Sequence, residues 1–168
     1  MTERRLGVAI DFSATSKLAL QWTLNNLARS GDYLLVITVV SDYNEIAEAQ
    51  LWEESGSPLI PLSELGDAHL MKKYGVTFDS EVLSLLELAA EEKQLIVVAK
   101  AYYGDARDKL CDAAANIPLD CLILGSRGSG TLKRILLGSV SNYVVSHATC
   151  PVTIVNVPQN VAPSSHKV

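Results

Sequence analysis

Short, nearly unbroken apolar runs recur along this chain at Leu6 to Ile10, Tyr33 to Val40, Leu95 to Ala101, Cys121 to Leu124 and Val152 to Val157. A strand with one face in water alternates polar and apolar residues, whereas a strand apolar at nearly every position is buried on both faces. The segments between these runs carry apolar residues at helical spacing. FSATSKLALQWTLNNLA reads as a helix capped near Ser13, with Leu20, Leu24 and Leu27 on one face and Leu18 and Trp22 opposite. Ser80 to Lys93 reads as a second helix, with Leu83, Leu86 and Ala90 in line, and Asp105 to Asn116 as a third, with Leu110, Ala113, Ala114 and Ile117 at core spacing. A fourth opens at a serine cap near Ser139 in SVSNYVVSHA. Strands alternating with helices that cover both faces predict an α/β fold, a single doubly wound five-stranded parallel sheet joined by right-handed crossovers. At 168 residues the chain fits one domain around one core. We expect that domain to span residues 1–157, followed by a mobile tail over 158–168 with Pro158, Pro163 and two serines. Ser41 to Asp79 is the irregular part, with Trp52, the run SGSPLIPL and a short helix-like piece that Gly75 closes. Loops of this length usually serve as lids or interaction surfaces.

Gly125 to Ser141, GSRGSGTLKRILLGSVS, joins the fourth strand to the last helix. Gly125, Gly128, Gly130 and Gly138 permit positive φ and a close approach of an anion to the backbone. The first turn of a helix offers unpaired N–H groups at the positive end of its dipole. Ser139 and Ser141 add hydroxyl donors, and Arg127, Lys133 and Arg134 add charge. The chemistry implied is phosphate capture. The spacing fits neither a Walker loop nor the dinucleotide fingerprint GxGxxG.

Gly125-x-x-Gly128, nine residues, then Gly138-Ser139 is similar to the nucleotide-binding motif of the universal stress protein family, G-x-x-G, nine residues, G-[S/T]. The resemblance covers roughly residues 5–157. With IDFS, SGSPLIPL, YGDARDKL, GSRG and GSVSNYVV it is closest to plant single-domain, ATP-binding-type members. It implies the strand order 3-2-1-4-5, which periodicity could not select. Ligands of open α/β sheets lie at the carboxyl ends of strands where crossovers diverge. In that order the crevice falls between strands one and four, which end at Asp11 and Gly125. The resemblance implies that Asp11 accepts hydrogen bonds from ribose and that adenine rests near Ala9 and Val39. The nucleotide-binding set is then Ala9, Asp11, Val39, Gly125, Arg127, Gly128, Gly138, Ser139, Val140 and Ser141. Asp11 is alternatively a helix cap, a task for which Ser13 competes. The ligand implied is ATP or AMP, with Mg²⁺ able to bridge the phosphates through few protein ligands. In the same order Val152 to Val157 is an edge strand without Lys, Glu or internal Pro, which predicts a homodimer through it.

Other functions find less support. A net charge of −5 argues against non-specific nucleic-acid binding. No apolar run is long enough to span a membrane, and MTERRLG lacks a signal-peptide core, so cytosol with nuclear access is expected. Cys111, Cys121 and Cys150 have no CxxC spacing and read as reduced, buried thiols. His69, His147 and His166 show no ligand spacing, so no histidine-built metal site is expected. Tyr102, Tyr103 and Asp105 read as packing and cap residues. No nucleophile elbow or triad signature marks a catalytic centre. The expected function is an adenine-nucleotide-binding stress regulator or sensor. Its rivals are a slow ATPase or autophosphorylating protein, with Ser139 or Ser141 as acceptor, and an oligomeric holdase presenting Trp22, Leu51, Trp52 and Ile60 as a sticky surface.

Overall fold

The computed structural model describes residues 3–127 and 137–156. Gly128, Gly130, Lys133, Arg134 and Val157 lie outside the described residues, as does the segment 158–168. The chain runs β1 (Arg5–Ala9), α1 (Ala14–Trp22), β2 (Tyr33–Val40), β3 (Ile60–Pro61), α2 (Leu62–Leu65), α3 (Ala68–Met71), α4 (Ser80–Lys93), β4 (Ile96–Tyr103), α5 (Ala106–Asn116), β5 (Cys121–Gly125), α6 (Ser139–His147) and β6 (Val152–Val155). The sheet is α/β in kind but has six strands, in the order β3-β4-β2-β1-β5-β6, and not the five expected. The added member is β3, a two-residue strand antiparallel to β4 with Ile60 opposite Ala99. Pairs of neighbouring strands elsewhere in the sheet are parallel. So short a strand inside SGSPLIPL has no periodicity to show in the sequence, and only the edge of β4 gives it a partner.

The apolar runs are buried on both faces because helices cover both. On one face Leu6, Val8, Leu34, Val36, Val97 and Ile123 pack with Leu20 and Leu24 of the first helical segment and Val82 and Leu86 of α4. On the other, Leu35, Ile37, Leu122 and Leu124 pack with Leu110, Ala113 and Ala114 of α5 and Val144 of α6. Period-two alternation sends neighbours such as Val36 and Ile37 into opposite cores. Ser13 caps α1, its side chain accepting from the Ser16 amide. After Trp22 the turns widen, with Ala28 N–H donating to Thr23 O at 2.9 Å. Leu24 is buried, while Trp22 is left at 37 % exposure, uncovered by the long segment. The buried line of α4 is Val82, Leu86 and Ala89, one residue removed from the one read from the sequence at two of its three positions.

Residues 41–79 are not an open loop. They fold over the α1–α4 face, and an aromatic stack ties them down: Trp52 lies 5.3 Å from the Tyr74 ring and 5.9 Å from the Tyr103 ring. Tyr103 is fully buried and donates its hydroxyl to Tyr74 O at 2.8 Å. Burial also raises its pKa, so the phenol stays a donor at physiological pH. Gly75 takes φ 72° at the end of this segment, as a helix-ending glycine should. Trp52 and Ile60 therefore face inward, Ile60 at 1 % exposure, which removes them from the sticky surface expected of a holdase; Leu51 remains 78 % exposed. Tyr103→Phe leaves the Tyr74 carbonyl buried without its donor. It should cost about 1–2 kcal/mol, read as a lowered urea midpoint, while Leu51→Ser should change the midpoint little.

Candidate functional site

The carboxyl ends of β1 and β5 part over a cavity of about 110 Å³ lined by Ala9, Ile10, Asp11, Ser16, Ile37, Val39, Ala106, Leu110, Leu124, Gly125, Arg127, Val140 and Ser141. Of the residues singled out in the sequence, Ala9, Asp11, Val39, Gly125, Arg127, Val140 and Ser141 thus meet at one place. Gly138 and Ser139 open α6 beside it, and Gly128 lies outside the described residues. Sequence reasoning missed the apolar wall. Ile37 could have been found from its i, i+2 relation to Val39 in β2, and Leu110 from its core-facing place on α5. A shallower recess of about 260 Å³ shares Ile10, Asp11 and Val39 with the first cavity and reaches Phe12, Thr38 and Gly75 to Thr77.

Asp11 is not the cap of α1, since Ser13 is. Its Oδ1 instead accepts from the Ser13 amide at 3.0 Å and the Ser13 hydroxyl at 2.5 Å. That bonding pins the carboxylate at the cavity rim, and its Oδ2 has no partner among the described residues. The next residue, Phe12, holds φ 63°, a conformation a bulky side chain adopts only when its surroundings impose it. Phe78, from the long segment, supplies that constraint with an edge-to-face contact at 5.2 Å. Lys17 of α1 adds ion pairs to Asp79 at 2.6 Å and Glu81 at 3.0 Å. The Lys17 ammonium, with the Val82 amide, holds the Asp79 carboxyl below its ordinary range.

The glycines act differently from expectation. Gly138 has φ −64° and ψ 163°, so it is extended and not left-handed, and Gly125 is absent from the positive-φ residues as well. Gly125 is needed for space: a Cβ there would lie 3.0 Å from the Thr15 carbonyl oxygen. That close approach lets the Thr15 hydroxyl donate to Arg127 O, tying the turn after β1 to the turn after β5. Gly138, not Ser139, caps α6, without a side-chain bond. Ser126 O accepts from the Gly138 amide at 2.6 Å, closing the base of the loop. The amides of Ser139, Val140 and Ser141 belong to the first turn and have no partner inside the helix. The two serines differ. Ser141 is buried and donates to Gly125 O at 2.7 Å, so its proton is engaged; Ser139 is exposed and bonds to nothing described.

Across the cavity a carboxylate acceptor thus faces a set of backbone donors, with an apolar floor between. Such a site suits a ligand with hydroxyls at one end and an anion at the other. Among the described residues no base is held against a nucleophile there. Tyr102 and Tyr103 are wholly buried and Asp105 caps α5, as packing and cap residues should be. Burial pushes the Tyr102 phenol up to about 12. The three cysteines are free and half-buried, and burial raises the Cys111 and Cys150 thiols, so they stay protonated near neutrality. Among the described residues no group of His, Cys, Asp and Glu is placed to hold a metal ion, and no helix is long and apolar enough to cross a membrane.

Comparison with known proteins agrees with this architecture. Universal stress protein PHOS32 of Arabidopsis thaliana is 30 % identical over 94 % of this chain, and PHOS34 of the same plant is 33 % identical over 94 %. The chain spans 66 % and 63 % of their lengths, respectively. Among solved structures, a universal stress protein family member from Arabidopsis thaliana with AMP bound superimposes at a TM-score of 0.59. That match has 23 % identity and covers 96 % of each chain. A universal stress protein in complex with cAMP superimposes at 0.58, with 18 % identity over 94 % of this chain and all of the other. Both share the fold. The profile of the Universal stress protein family matches residues 3–156, and the chain belongs to that family.

Proposed function

We propose that this chain is an adenine-nucleotide-binding regulator or sensor of the stress response. The observation that carries the reading is the opposition of Asp11 and the first turn of α6 across one apolar-floored cavity. Asp11 Oδ2 accepts from the ribose hydroxyls, while the Ser139 to Ser141 amides, the Ser139 hydroxyl and Arg127 receive the phosphates. The base lies along Ala9, Ile37 and Val39. Mg²⁺ accompanying the phosphates would need few ligands from the protein. Two family members of the same fold, one with AMP and one with cAMP bound, support an adenine nucleotide as the ligand. Binding and sensing, with phosphate donors at the head of α6, is the role this reading gives the site, and the expected compartment is the cytosol.

Calorimetric titration with ATP and AMP tests this. The wild type should bind at one site. Asp11→Ala should lose about 1.5–3 kcal/mol of binding, the worth of a charge-assisted hydrogen bond, or about 10- to 150-fold in affinity, with the fold retained by circular dichroism. Gly138→Val should abolish binding, because its branched side chain projects where the phosphates approach the extended backbone at the head of α6. A wild type that binds neither nucleotide, or a Gly138→Val protein of undiminished affinity, overturns the assignment.

We also propose that the protein pairs with a second copy through β6. This strand is at the sheet edge, bonded to β5 alone. Leu122 N–H donates to Pro151 O and Ser126 N–H to Val155 O. By the alternation of a parallel ladder, the polar groups of Val152 and Ile154 then point away from the sheet. Antiparallel pairing about a twofold axis would satisfy them in both copies. Ile154→Pro deletes an outward donor and no inward one, so light scattering should show a monomer with its fold retained. A wild type that is monomeric at high concentration rules this interface out.

A further inference from the structure

The face of the sheet covered by α5 and α6 carries a second recess, a groove of about 400 Å³ toward the amino-terminal ends of β1 and β2. It shares no lining residue with the Asp11 cavity. Leu35 and Val98 form its floor, Ile117 one wall and Leu59, 58 % exposed, the rim. Lys100 stands at one end and Arg5 at the other. We propose that this groove binds a small apolar carboxylate, with the Lys100 ammonium as its counter-ion.

Lys100 is the observation that asks for an anion. The described half-buried lysines are Lys17, Lys93, Lys100 and Lys109. Lys17 donates to Asp79 and Glu81, Lys93 to the Leu24 and Ala28 carbonyls, and Lys109 to the Glu53 carbonyl. Lys100 alone donates to nothing described; its ammonium has only the Tyr102 ring, 5.7 Å from the centroid. Burial accordingly lowers its pKa, the signature of a charge that has lost water without gaining a partner. A carboxylate at Lys100 would offset that cost. The Arg5 guanidinium lies over the Tyr33 ring at 5.9 Å and forms no ion pair with a described carboxylate, while the Arg5 amide donates to Asp120 Oδ2 at 2.8 Å. The recess is therefore positive at its ends on a chain whose net charge is −5. Its size is that of a small-molecule site. The floor between the charges is hydrocarbon, which suits an aliphatic or aromatic body and leaves a polyphosphate unmatched.

Decanoate, kept below its micelle concentration and titrated into the full chain by calorimetry, is the probe. It should bind saturably at one site, with decanol at least tenfold weaker. Lys100→Met keeps the stem and removes the charge, so it should weaken decanoate about tenfold or more, the loss of a charge-assisted bond. Lys100→Arg should stay within about threefold, because the charge is retained. Leu59→Asp, at an exposed position that does not threaten folding, should weaken decanoate by like-charge repulsion. Affinity for ATP should be the same in all three variants, which separates this site from the nucleotide cavity. Absent or unsaturable decanoate binding, or equal binding to wild type and Lys100→Met, overturns the proposal.

Discussion

The structure depends on β1 being hydrogen-bonded on both sides to parallel strands, β2 and β5, whose following helices go to opposite faces of the sheet. A right-handed crossover after β1 sends α1 to one face, and the chain leaving β5 enters α6 on the other. Neither helix can cover the gap between the two strand ends. The cavity is what remains, and it sits where the backbone donors of α6 and the carboxylate of Asp11 are both within reach. The same divergence sets the edges. β6 ends the sheet on one side, and on the other the two residues of β3 close it by running antiparallel to β4.

Close approach, more than special dihedral angles, shapes the mouth of the cavity. Gly125 has no side chain because the Thr15 carbonyl occupies the space a Cβ would need. The strained backbone is at Phe12, a residue that gives no such hint in a sequence. Its left-handed conformation persists because Ser13 holds Asp11 from one side and Phe78 holds the Phe12 ring from the other. The turn that presents Asp11 therefore leans on a residue far along the chain. Order in residues 41–79 and the position of the carboxylate are physically linked.

That segment also explains why an acidic, proline-containing stretch is not a free loop. Trp52, Tyr74 and Tyr103 stack in sequence, and the Tyr103 hydroxyl finds the Tyr74 carbonyl. Aromatic rings bury much area for little lost conformational freedom. Three of them suffice to fasten a segment whose helices, Leu62–Leu65 and Ala68–Met71, are too short to be stable alone.

The sequence by itself determined the α/β class, four helices with their approximate bounds, and the five parallel strands. These rest on local periodicity and on apolar runs that admit only two-sided burial. It also determined that Gly125, Arg127 and the α6 start belong near one another, since they lie on one strand, loop and helix. Their meeting with Asp11, Ala9 and Val39 was legible only through the family's strand order, because β1 and β5 are neighbours across more than a hundred residues of intervening chain. The tertiary structure alone decided that Ile60 is buried and Trp52 half-buried in the aromatic stack, that Ser141 spends its proton on Gly125 while Ser139 does not, and that Lys100 has only the Tyr102 ring among the described residues. Each depends on which atoms arrive from distant segments. Periodicity records the face a residue occupies but carries no information about what meets it there.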